Sequence, residues 1–147
     1  MYHETILRRI MYVGTGLVIM VTLILAFIVI PSVLIDTSPQ AAPESAVPGI
    51  LFVIIIHLLI VAAFVRTILV NRRGGRFGKG PLIALGVLLL LLSLIVLDGA
   101  SAYLDHTDPI MHRVAISMFI CTGCNFIASV LAFLTSWYSR RLQPPSK

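Results

Sequence analysis

Three of the six carboxylates and two of the four histidines of this chain fall within the stretch Asp98-GASAYLDHTDPIMH-Arg113. Asp105, His106, Asp108 and His112 are residue types that hold zinc, manganese or copper, and loops place such ligands readily. Their spacing matches no specific metal motif. Asp108-Pro109 also has a purely structural reading. Asp is a favoured helix N-cap and Pro a favoured first helical residue, so the pair marks a helix start. His112 then lies four residues on, on the same helix face.

Asp98 stands apart because it sits inside an apolar run. An ionisable side chain in a membrane helix costs a few kcal/mol unless paired or wetted, which makes it a functional candidate by default. His57, in Ile54-II-His57-LLI, is the other such group, and the two depths differ by about one helical turn. A His57–Asp98 pair, direct or through water, is therefore geometrically allowed, either as a proton relay or quinol site or as a polar clasp between helices. In a third reading Asp98 simply touches interfacial water. In the relay, the carboxylate favours the imidazolium and the imidazole shuttles the proton. Gly99, Ala100, Ser101 and Ala102 favour the clasp, because small residues let helix backbones approach. A haem held by His57 and His112 fits poorly, since helical rise separates their depths by ~10 Å. Haem or a divalent metal thus stays a minor reading, and no cofactor is firmly implied.

Cys121-TG-Cys124 is a CxxC, normally a redox signal. It resembles the motif of membrane thiol oxidoreductases of the vitamin K epoxide reductase type, which also have four helices. This chain has only these two cysteines, so no second pair exists to relay electrons. Apolar burial also suppresses the reactive thiolate. Ser117, Cys121, Cys124, Asn125, Ala128 and Ala132 recur at spacings of three and four. They form one stripe of small or weakly polar side chains suited to helix–helix contact, with Asn125 bonding across the seam.

The elements that must carry these residues are membrane helices. Apolar residues make up 59% of the chain and charged residues 12%, about half the charge of a soluble domain. Mean hydropathy is +1.03. Four apolar runs, at approximately 10–35, 50–70, 81–103 and 110–138, each meet the ~20 residues that span a ~30 Å hydrocarbon core. Membrane strands are excluded because the runs are apolar at every phase. The first run is too long for a cleaved signal and reads as a signal-anchor helix. The proline-rich segment 36–50 reads as a loop. Short connections predict an up-down-up-down four-helix bundle, a single transmembrane domain across 1–147.

Ten of the eleven lysines and arginines fall on one side of this topology, leaving Arg113 opposite. That bias predicts both termini in the cytoplasm and a multi-pass protein of a bacterial inner (plasma) membrane. Arg72, Arg73, Arg76, Lys79, Arg140 and Arg141 are expected at lipid headgroups. The net charge of +5 is thereby assigned to anionic lipid, since no base-reading face gathers it for nucleic acid. The basic loop 72–81 lacks the spacing of a phosphate loop. No Ser-His-Asp, catalytic carboxylate pair or HExxH is present. The reading is a non-enzymatic membrane protein acting through a partner or self-association, as an accessory subunit, assembly factor or immunity-type protein. Its expected contact surfaces are the polar outer edge and the small-residue seam of the fourth run. The alternatives are a redox, quinol or metal-handling protein and, further off, a transporter protomer.

Overall fold

The computed structural model describes residues 2–35, 43–73, 79–104 and 108–141, with the backbone alone at 2–4, 43–45, 79 and 140–141. Asp105 and His106 lie outside the described residues, as does Arg76. The described chain is helical: α1 (Tyr2–Ile24), a π-helical turn (Leu25–Val29), α2 (Ile30–Ile35), α3 (Pro43–Arg72), α4 (Lys79–Ala102) and α5 (Pro109–Arg141). Four spans long and apolar enough to cross a membrane result: Thr5–Ile35, Ala46–Arg72, Gly80–Ala102 and Pro109–Ser139. The four-helix transmembrane bundle expected from the apolar runs is thus the fold.

Two boundaries differ from expectation for local reasons. The segment read as a loop to residue 50 becomes helical at Pro43. A proline at the first helical position lacks an N–H that the helix would leave unpaired anyway. Pro48 follows one turn later, where only the bond to the Glu44 carbonyl is lost. The first span, read as one continuous helix, contains the π turn. Pro31 has no N–H for the Phe27 carbonyl, and its ring crowds that oxygen. The widened turn accommodates this, with the Ile30 N–H donating to Leu25 O.

The helices alternate in direction. At one end the start of α1 meets the finish of α3, where the Arg72 guanidinium lies 5.8 Å over the Tyr12 ring. This end, which carries the basic residues, is here called the basic end. Near it an apolar cluster joins Leu7 and Met11 to Phe64, Ile68, Leu82 and Ala132. At the opposite, acidic end a second cluster joins Val29 and Val33 to Ile54, Val96, Ala100, Met111 and Val114. Around the ring, α5 packs along α4 and against α1, and α1 packs against α3, while α3 and α4 barely meet. The α3 and α5 helices therefore stand diagonally across the bundle.

Candidate functional site

Between the two apolar clusters lies a polar layer to which every span contributes. Thr22, His57, Ser93 and Asn125 are all buried there, His57 and Asn125 completely. The α5 helix follows the spacing of its small-residue stripe: Cys121, Cys124, Asn125, Ala128 and Ala132 are buried, and Ser117 is half-buried. This stripe, expected as a surface for a partner, is enclosed by the chain's own helices. The α4 helix packs along α5 and helps close on it, with Ser93 and Gly86 bonded to Thr122 and Ser129.

His57 occupies the centre. Its Nδ1–H donates to the Val53 carbonyl at 2.7 Å, one turn back on α3. Its Nε2 lies 3.1 Å from Asn125 Oδ1, across the diagonal of the bundle. Asn125 Nδ2 is buried with no partner among the described residues. A neutral imidazole that donates from Nδ1 accepts at Nε2, so an amide N–H and not a carbonyl belongs opposite it. Turning the Asn125 carboxamide over brings its Nδ2–H to His57 Nε2 and leaves Oδ1 in the place that Nδ2 had. The result is a buried, directional clasp across the bundle.

Asp98 is not its partner. Asp98 sits on the exposed side of α4, and its backbone carbonyl accepts from Ser101 Oγ at 2.7 Å. The His57–Asp98 pair allowed by the sequence is thus replaced by His57–Asn125. The physical reason is ring order: α3 faces α5 through the core, and α4 presents Ser93 and not Asp98 to that layer. The amide in the CxxC-containing run was the legible signal, since a buried asparagine also demands a partner.

The other sequence candidates separate. Asp108 caps α5, its Oδ1 accepting the Ile110 N–H at 2.8 Å, as an Asp-Pro helix start requires. His112 and Arg113 are exposed on the first turn of α5. No group of three or more metal-ligating side chains forms among the described residues. Cys121 and Cys124 are free thiols, both buried. Arg72 and Arg73 are exposed at the basic end, and Trp137 and Tyr138 stack edge-to-face there at 5.0 Å, as interfacial aromatics do. Lys79, Arg140 and Arg141 lie on helix termini at the same end.

Sequence reasoning missed a cavity. Ala46, Gly49, Ile50 and Val53 of α3, Ile95, Val96 and Gly99 of α4, and Tyr103 just beyond α4 line a cleft of about 270 Å³, floored by Leu25 and Met118. It occupies the acidic half of the seam between α3 and α4, the one neighbouring pair that does not close. Leu25 belongs to the π turn, so the bend imposed by Pro31 helps shape the floor. No protein-family model, no curated protein and no solved structure matches the chain.

Proposed function

We propose that the chain is a non-enzymatic membrane protein that works by binding another membrane protein, as an accessory subunit, an assembly factor or an immunity-type inhibitor. The observation that carries this reading is the outward-facing Asp98. It lies four residues short of the end of α4, or about 6 Å along the axis, and it faces away from the bundle. A carboxylate at that depth is costly against lipid and favourable against a cation or a hydrogen-bond donor on a neighbouring helix. The buried polar groups support the same reading from inside. His57, Ser93 and Ser129 are engaged in bonds between helices, and the buried polar groups among the described residues form no row of titratable groups along a path.

The charge distribution supports a plasma-membrane orientation with both termini cytoplasmic, because the lysines and arginines gather at the basic end. Asp98, His112 and Arg113 then form a polar outer rim for the partner. Affinity isolation from native membranes tests the proposal. The wild-type chain is expected to bring down a stoichiometric membrane partner, and Asp98→Asn to lose it by about tenfold or more, a change of ~1.4 kcal/mol. Recovery of a lone wild-type monomer contradicts the proposal.

A further inference from the structure

At the basic end, two arginines stand without the anion that their surroundings call for. Arg8 is half-buried on α1, and its Nε is fully buried with no hydrogen-bond acceptor among the described residues. A buried donor on a charged group is costly to leave unpaired, and an ion from outside the chain is one of the standard reasons for it. Tyr12 follows Arg8 by four residues and therefore shares its face of α1. That face borders α3, because the Arg72 guanidinium lies over the Tyr12 ring at 5.8 Å from its centroid. Helical side chains lean toward their own N-terminus, so Tyr12 leans toward Arg8 and Arg72 leans back to meet it. A guanidinium over an aromatic face keeps its N–H edge for other acceptors, and Arg72 is exposed. Neither guanidinium has an ion pair among the described residues. Two cations drawn to one ring repel each other unless an anion sits with them. The one acid of the sequence at this end, Glu4, supplies a single charge against two.

Depth selects the kind of anion. The polar layer stands near the middle of the spans, as Thr22 does within Thr5–Ile35. From Thr22 to Arg8 along α1, and from His57 to Arg72 along α3, helical rise amounts to about 21 and 22 Å. Half the ~40–45 Å thickness of a bilayer with its headgroups is about 20–22 Å, so both arginines emerge at headgroup level. Tyr12, about 15 Å from Thr22, falls at the edge of the hydrocarbon, where tyrosine is enriched. The planar guanidinium fork matches phosphate oxygens two at a time. Basic pockets between membrane helices at this level are a known form of headgroup site.

We infer that Arg8, Tyr12 and Arg72 form a phosphate site at the basic end of the α1–α3 seam, for the phosphate of an anionic lipid headgroup or of a soluble phosphomonoester. The buried Arg8 N–H donates to one phosphate oxygen, the Arg72 fork donates to others, and the Tyr12 ring holds Arg72 in position. The inference is independent of the partner reading, because Asp98 lies at the opposite end of the bundle. Native mass spectrometry of the full chain tests it, after detergent extraction and delipidation, by titration with dioleoyl phosphatidic acid and, separately, with dioleoyl phosphatidylcholine. The wild type should bind one phosphatidic acid about tenfold more tightly than phosphatidylcholine, which has the same acyl chains and no net charge. Arg8→Gln and Arg72→Gln should each lower that affinity about tenfold. Arg8→Lys, which keeps the charge but lacks the buried Nε–H and the fork, should lower it several-fold. Arg66→Gln removes an equal charge from the exposed face of α3 and should leave it unchanged. Glycerol 3-phosphate identifies the source: displacement of the lipid at equal concentration marks the site of a soluble phosphate, and no displacement marks that of a lipid. Wild-type affinity in any of the three site variants overturns the inference, as does a loss in Arg66→Gln equal to that in Arg8→Gln. Equal binding of the two lipids by the wild type also overturns it, a comparison that decides alone where a variant does not fold.

Discussion

The two seams that flank α4 are built in opposite ways. Toward α5 the seam is closed and bonded along its length. Ser129 Oγ–H donates to the Gly86 carbonyl at 2.7 Å, and Ser93 Oγ–H donates to the Thr122 carbonyl at 3.0 Å. A Cβ on Gly86 would lie 3.0 Å from the Phe133 ring, and one on Gly99 would lie 2.7 Å from the end of Met118. Toward α3 the same helix meets almost nothing and borders a cavity. Lipid gives helices no hydrophobic reason to associate, so packing and hydrogen bonds decide which seams close. Small residues of α4, Gly86 and Gly99, bring it close to α5, whereas the small residues at the α3 side of the cleft, Ala46 and Gly49, belong to α3. The α3 helix is consequently fixed by α1 beside it and by the His57–Asn125 bond through the core.

Substitutions in the two regions separate these roles. Asn125→Ala should have the largest effect, destabilising the bundle by about 2–3 kcal/mol, because it leaves His57 Nε2 without a partner in the buried layer and opens a void. Unfolding in detergent micelles, followed by thermal or denaturant melting, measures it. Gly86→Ala forces the Phe133 ring to move and should cost about 1 kcal/mol by the same measurement. Ser129→Ala removes a single interhelical bond, for which roughly 0.5–1 kcal/mol is expected. Gly49→Ala should be the mildest, within about 0.5 kcal/mol of the wild type and toward higher stability. The contrast breaks if Gly49→Ala and Gly86→Ala destabilise equally, since that would mean the α3/α4 seam is closed as well.

Much of the fold was legible in the sequence because lipid imposes a simple rule on it. Length and apolarity alone separated four helices, and Asp108-Pro109 located the start of α5 through its capping chemistry. The stripe from Ser117 to Ala132 was legible as a packing face because its period is that of a helix. What sequence did not convey was which helix each face would meet. A His57–Asp98 pair followed from assuming that consecutive helices are close neighbours. The ring order instead sets α3 across from α5, and this order depends on the fit of whole helix surfaces. The early start of α3 was hidden by prolines that a first turn tolerates. The cleft was invisible for a related reason. A glycine that packs against a ring, as Gly86 does, and a glycine that faces open space, as Gly49 does, read identically in one dimension.

The α3 helix is held to the bundle by α1 and by the His57–Asn125 clasp, and hardly by α4. A double-mutant cycle on unfolding free energy, with His57→Ala, Asn125→Ala and both together, tests it most directly. The parallel cycle of His57→Ala with Asp98→Ala serves as the comparison. A coupling of roughly 0.5–2 kcal/mol is expected for the first cycle, and additivity within about 0.3–0.5 kcal/mol for the second. Additivity between His57 and Asn125, with coupling between His57 and Asp98 in its place, would contradict it.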